Sequence, residues 1–448
     1  MTTVATSLRG LCGGAVHLPG DPGYDTARTP WNLTADQRPA AVAYPADADE
    51  VASVVRAAAR AGLRVAAQGT GHNPGPLGPL DDVVLLRTPA MTGVTVAGRT
   101  ARAEAGALWV DVVELAAPHG LAALHGSSPD LGVVGYSLGG GVGWYARTHG
   151  LQANALTAVE LVTAGGTLLR ADATREPDLF WALRGGGGNF GVVTAVEFDL
   201  FPIVSVYAGL LAWDWRAAPR VLPAWLAWAA TAPDAATTAL RLLRVPPLRH
   251  VPPALRGRRL LVVDGAVLGP AGPDLVAPLR ALRPEVDTFA ELPPAALPRL
   301  HLDPEGPTPV VSRSALLGDL PAAAADALLA AAGPDSGTSL AVPVELRQLG
   351  GALARPAAGG GALPVLDGAF ALSSAGIAAT PELAAGAAAD AGRVVAALAP
   401  WATGSRYLNL TAERVAAEAA FPPATVRRLR AIRAAVDPGG LFVANHPL

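Results

Sequence analysis

Lysine is absent from this 448-residue chain, so all 34 of its basic residues are arginine. A phosphate loop ending in Gly-Lys-Ser/Thr is therefore excluded. Cysteine is nearly absent as well. Cys12 by itself makes neither a disulfide framework nor a cysteine metal site, and such sparse use fits a reducing, cytoplasmic compartment. Charge is scarce: 16% of residues are charged and the net charge is −3. No basic block and no arginine stripe interleaved with aromatics is present, so nucleic acid is not an expected partner. No apolar run reaches the roughly 18–20 residues of a membrane helix, and the short apolar stretch 11–16 is too broken by glycine for a signal-peptide core. No membrane association is expected. His17, His119, His125, His149, His250, His301 and His446 show no metal-ligand spacing. They read as surface or packing residues, and no metal site is expected.

What is present is apolar mass and glycine. Half of the chain is apolar, and it holds 50 glycines and 41 prolines. At roughly 100–200 residues per domain, the length implies two or three domains. Residues 1–37 form a polar leading segment. Residues 38–202 alternate strand-like and helix-like patterns. Within them 40–44, 63–67 and 82–86 read as strands, and 92–97 and 101–105 as a hairpin around Gly98. Asp47, followed by Glu50, caps a helix over 48–61 that stops at Gly62. A second helix covers 108–118. The run 131–146 reads as a glycine-rich loop. In 203–400, longer strands (206–213, 259–267, 340–349) alternate with Ala-rich helices (322–332, 382–399), and 246–253 and 359–361 are loops. Strands with segregated helices indicate an α+β domain. Residues 401–448 hold a short strand around Tyr407, a helix over 424–436, a stop at Gly439-Gly440 and a tail.

Three glycine clusters fall in 38–202: Gln68-Gly-Thr-Gly-His-Asn73, Gly135-Tyr-Ser-Leu-Gly-Gly-Gly-Val-Gly143 and Arg184-Gly-Gly-Gly-Gly-Asn-Phe-Gly191. Without a Cβ, successive N–H groups approach an anion closely. One such loop is usually only a tight turn. Three in one domain suit a long diphosphate ligand. None is the Gly-x-Gly-x-x-Gly fingerprint in its strand–turn–helix setting, so a Rossmann site is not indicated.

These motifs, in this order, carry a resemblance. Pro19-Gly-Asp-Pro-Gly-Tyr24, Trp31-Asn32, Arg38-Pro39, Gly69-Thr-Gly-His-Asn73, Leu138-Gly-Gly-Gly-Val-Gly-Trp144, the run 178–193, Tyr407-Leu-Asn409, Asp437-Pro-Gly-Gly-Leu-Phe442 and Asn445 resemble FAD-linked oxidoreductases of the vanillyl-alcohol-oxidase type. The nearer subgroup is that of berberine bridge enzyme and the bacterial oligosaccharide oxidases. The resemblance covers nearly the whole chain. It implies a two-domain α+β flavoprotein. Residues 1–202 (core about 38–202) bind FAD through two α/β subdomains. Residues 203–400 form a substrate domain, an antiparallel sheet backed by helices, and 401–448 return to the FAD domain. It also implies a cofactor-binding set: Gly69, Thr70, Gly71, His72, Asn73, Ser128, Pro129, Gly132, Gly135, Tyr136, Leu138, Gly139, Gly140, Gly141, Gly143, Trp144, Asn189, Gly191, Val192, Val193, Tyr407, Asn409 and Asn445. His72 matches the histidine bonded to the flavin 8α-methyl. A neutral imidazole is nucleophilic enough for that role.

Two departures matter. Relatives with a second flavin bond carry cysteine where Ser128 stands, so only single attachment is implied here, with a somewhat weaker oxidant. Many relatives read Tyr-x-Asn-Tyr, the last tyrosine being the base; here Leu410 takes its place. Replacement catalytic candidates are Glu345 and Arg347, which alternation puts on one face of a strand, together with Tyr407 and Asp130. A solvated Glu–Arg pair is the competing reading of that strand. The implied activity is hydride transfer from a small organic substrate, such as a secondary-metabolite intermediate, to flavin, with O2 as acceptor. A redox-neutral cyclase with structural FAD and a carbohydrate oxidase are the alternatives. Oligomeric state is not legible.

Overall fold

The computed structural model describes residues 6–249, 251–336 and 343–448. His250, and the 340–342 end of the strand expected at 340–349, lie outside them. Three sheets organise the chain. The first runs β1 (Val16–His17), β2 (Ala41–Ala43), β4 (Val83–Arg87), β3 (Arg64–Gln68), with β2, β4 and β3 parallel. β2 and β4 are buried on both faces, as central parallel strands are. The helix Ala48–Arg60 covers one face, burying Val51, Val54, Val55 and Ala58 at helical spacing. Its start is fixed reciprocally: Asp47 accepts from the Glu50 N–H at 2.9 Å, and the Glu50 side chain accepts from the Ala46 N–H at 2.8 Å. Gly62, at φ 67°, ends it.

The second sheet is antiparallel, in the order β5 (Val94–Ala97), β6 (Thr100–Glu104), β9 (Val192–Asp199), β7 (Leu156–Val162), β8 (Leu168–Asp172). Trp109, Phe190 and Phe198 are fully buried against it. The C-terminal tail closes back on the first sheet: Val65 N–H donates to Leu441 O and Val443 N–H to Val65 O, both at 2.8 Å.

The third sheet is antiparallel throughout: β13 (Val286–Asp287), β10 (Val206–Asp214), β12 (Arg259–Val267), β11 (Ala236–Arg244), β16 (Val344–Gln348), β17 (Phe370–Ile377), β15 (Val310–Leu317), with β14 (Ala290–Leu292) also on β10. Register explains its two faces. Leu240, Leu346 and Leu372 line up across three strands, as do Arg241, Glu345 and Ser373 one residue away. The leucine face packs with Trp213, Trp225 and the helices Ala218–Thr231, Ala322–Ala332 and Pro381–Leu398. Each large side chain so buried contributes about 1.5–3 kcal/mol. The other face carries Arg347 and Glu345 toward the glycine loops.

Three expectations are corrected. No strand forms around Tyr407; Leu408–Leu410 is a single 3-10 turn, closed by the Thr411 hydroxyl on Tyr407 O. The run 131–146 is not all loop. Val133–Leu138 and Ala146–His149 are short helices, and Val133, Val134 and Leu138 gain enough burial to offset the glycine penalty. Residues Pro381–Trp401 (mean hydropathy 1.2) are long and apolar enough for a membrane span by length and composition. Glu382, Asp390 and Arg393 concealed that run in the sequence. Ala387, Ala391, Val394 and Leu398 bury one stripe of it.

Candidate active site

One cavity of about 520 Å³ lies between the glycine loops and the charged face of the third sheet. Gly69, Thr70, Gly71, His72, Asn73, Gly132, Gly135, Tyr136, Leu138, Gly139, Gly191, Val192, Val193, Tyr407, Asn409 and Asn445 line it, together with Glu345 and Arg347.

The first loop leaves β3 at Gly69. Gly71 adopts φ 82°, and a Cβ there would lie 2.7 Å from Pro30, so only glycine fits. The leading segment is laced to this loop: Trp31 N–H donates to Thr70 O and Asn32 N–H to Gly71 O, both at 3.0 Å. The Trp31 ring stacks on His72, with centroids 4.0 Å apart, and Thr70 Oγ1 is 2.8 Å from His72 Nδ1. In the second loop, a Cβ on Gly139 would fall 1.8 Å from Asn409 Oδ1. That close approach lets Asn409 Nδ2 donate to Tyr136 O at 3.0 Å. Behind the loops the tail is tied in, Asn445 Nδ2 donating to Asn73 O at 2.5 Å.

Ser128, Pro129, Gly140, Gly141, Gly143, Trp144, Asn189 and Asp130 stand just outside the residues that line the cavity. They hold it from behind. Gly141 N–H donates to the Tyr407 hydroxyl at 2.8 Å. A Cβ on Gly143 would strike His125 O at 1.9 Å. Pro129 O receives the Val110 N–H, and Asn189 Nδ2 donates to His446 O at 3.1 Å. Trp144 is buried beside His301 and Arg347. Asp130 accepts from Ser128, Trp31 and Gly306. Burial would raise its pKa, but those bonds and His72 outweigh it and hold the carboxylate well below its usual range.

On the facing wall Glu345 is neither solvated nor free. Arg347 Nε meets it at 2.7 Å and His301 Nε2 at 3.4 Å. His301 Nδ1 lies 2.9 Å from Asp264 Oδ2, which Arg241 also contacts at 2.5 Å. The surface-pair reading of this strand is thus overturned. Burial opposes the charge on Glu345, yet Arg347 and His301 prevail and keep it ionised. His301 and His446 both line the cavity, against the expectation that they only pack or face solvent. Asp264 had a sequence signal, a lone carboxylate inside an apolar strand, which must find a partner. His301 had none. Tyr407 is a poor base: burial pushes its hydroxyl up to about 12, though Gly141 and Asn409 pull the other way. Leu410 lines the cavity beside it.

The arrangement fits FAD by two observations. Gly135 and Gly188 line the cavity, and a Cβ on either would meet no atom within 4 Å, so backbone faces open space where a ligand belongs. The Tyr136 hydroxyl and Gln68 Oε1 are buried there without a hydrogen-bond partner among the described residues, which polar ligand atoms would supply. Glycine-rich backbone loops around one cavity suit a nucleotide cofactor. Residues 39–172 match the family described as an FAD binding domain.

Among curated relatives, (R)-6-hydroxynicotine oxidase of Paenarthrobacter nicotinovorans is 37% identical over 203 residues, 45% of this chain and 44% of that protein. Glucooligosaccharide oxidase of Sarocladium strictum is 34% identical over 220 residues, 48% and 44%. The chain spans about half the length of the curated relatives it matches. Among solved structures, wild-type BBE-like 1 of Physcomitrella patens shares the fold with a TM-score of 0.84 at 22% identity, over 98% of this chain and 97% of that one. The 6-hydroxy-D-nicotine oxidase of Arthrobacter nicotinovorans gives 0.78 at 26% identity, over 95% and 96%.

Proposed function

We propose that this chain is an FAD-dependent oxidase that takes a hydride from a small, largely apolar organic molecule, with flavin held through a bond to His72 and O2 as acceptor. The observation that carries the reading is that one cavity joins His72 and the glycine loops to an ionised carboxylate, Glu345, on the opposite wall. FAD, when bound, supplies the hydride-accepting chemistry. The chain's residues do the rest. The loops 69–73, 135–139 and 186–191 hold the cofactor, and Asn409 and Asn445 fix the loops. Glu345 takes the substrate proton that a tyrosine at position 410 would otherwise take. Held ionised well below the usual carboxylate range by Arg347 and His301, it is available at neutral pH but a weak base, suited to accepting a hydrogen bond from a group already losing its proton. A phenol or an activated amine suits it better than a simple alcohol.

The remaining wall supports the same class. Val142, Leu349, Leu366, Ala371, Ala375 and Leu410 make it apolar, and none of Trp213, Trp215, Trp225, Trp228 or Trp401 lines it. An oligosaccharide site would want such platforms. A compact secondary metabolite, of aromatic, alkaloid or polyketide type, fits better.

The test starts with acid precipitation of the purified protein. A yellow pellet, lost in His72→Ala, is expected. O2 uptake and H2O2 are then followed over phenols, benzylic alcohols, cyclic amines and oligosaccharides. Colourless protein, or equal turnover of oligosaccharides alone, defeats the proposal. Leu410 at the wall favours a second reading, a redox-neutral cyclisation, for which turnover without O2 consumption is the signature.

A further inference from the structure

Asp130 is built into the back of His72. Its Oδ1 receives the Ser128 hydroxyl at 2.7 Å and faces His72 Nε2 at 3.5 Å; its Oδ2 receives Trp31 Nε1 at 2.6 Å and Gly306 N–H at 2.9 Å. Among the described residues no arginine touches it, so three neutral donors hold a negative charge that the facing imidazole can neutralise. The ring is clamped as well, by the Trp31 stack on one face and by Thr70 at Nδ1. His72 Nε2 is buried with no hydrogen bond of its own.

We propose that Asp130 is a positioning residue for attachment of flavin to His72, which makes this inference rest on the covalent link proposed above. The carboxylate keeps the imidazole proton on Nε2 and leaves the lone pair on Nδ1. It then stabilises the positive charge that the ring acquires as the new bond forms. That bond joins the imidazole nitrogen to the flavin 8α carbon. One C–H bond of the methyl group and the imidazole N–H bond break. The electron pair so released reduces the flavin, and O2 accepts the two electrons and two protons as H2O2. The N–H proton leaves to solvent, and Asp130 stays ionised throughout. The leading segment thereby joins the cofactor site, since Trp31 fixes both the ring and the carboxylate.

The test uses full-length protein produced without covalent flavin and then incubated with FAD in air. Covalent flavin is followed by in-gel fluorescence after acid precipitation, and total bound FAD by absorbance. Asp130→Asn keeps the size of the side chain and an acceptor. It is expected to bind FAD at parental stoichiometry but to form the bond about 100-fold more slowly, with a rate that rises with pH. In Asp130→Ala, formate is expected to restore part of the rate. A parental rate in Asp130→Asn overturns the proposal. So does a folded, FAD-loaded Asp130→Ala that formate does not accelerate. If the parent itself releases all flavin into acid, the failure lies with the His72 link.

Discussion

The buried cluster around His301 makes a pH prediction with a definite sign. His301 is 3% exposed. Burial and Arg241 disfavour its cation, but Asp264, Asp303 and Glu345 together outweigh them and push its pKa up to about 9. The unfolded reference is about 6.5. A group whose folded pKa is raised stabilises fully below the unfolded value and loses that contribution as pH climbs through the folded one. At about 1.4 kcal/mol per pH unit, a rise from 6.5 to about 9 corresponds to about 3 kcal/mol. His301→Asn still offers Asp264 a donor but cannot be protonated. Denaturant unfolding of parent and variant at pH 6, 7.5 and 10 measures the difference. The parent's advantage should shrink by about 3 kcal/mol between the ends of that range. Asp264 and Glu345 do not confound it, because their lowered pKa values give stability that is already complete above about pH 4. An advantage that stays constant with pH would mean that the folded imidazole is neutral, and the electrostatic account of this wall would fall.

Other substitutions probe the rest of the site. Glu345→Gln leaves the Arg347 guanidinium buried without its carboxylate and should cost about 3 kcal/mol in thermal or denaturant unfolding, while His72-bound flavin persists; a change below about 0.5 kcal/mol would mean the pair is solvated after all. Gly143→Ala drives a Cβ into the His125 carbonyl and should destabilise the fold by about 1–3 kcal/mol. Gly135→Ala meets no protein atom, so melting without flavin should be unchanged while FAD content falls; the opposite ranking of the two would refute the ligand's placement. Asp47→Ala removes the helix cap far from the cavity and should lower stability by about 1 kcal/mol without altering FAD content.

Much of the cofactor half was legible. Strands at 40–44, 63–67 and 82–86 and the capped helix after Asp47 follow from local periodicity and turn chemistry, which need no distant partner. The three glycine clusters announced backbone approach to a ligand, and Gly69, Gly71, Gly135 and Gly139 do line the cavity. Strand alternation also put Glu345 and Arg347 on one face. What alternation left open was whether that face meets water or a cavity. The placing of Ser128 and Asp130 beside His72 was equally invisible, because a motif gives neighbours along the chain and not the direction in which each side chain points.

The sequence by itself determined the ingredients: which loops lack a Cβ, which histidine follows Gly69-Thr-Gly71, and that position 410 carries no hydroxyl. Only the tertiary structure brought His301, Asp264 and Arg241 to Glu345, from strands and a loop up to about a hundred residues apart. Each of those charges reads as an ordinary surface or core residue along its own segment. Cross-strand register and the closing of the third sheet over the glycine loops turned them into one buried, mutually neutralising cluster, since a charge taken out of water must find its partner wherever the fold puts one.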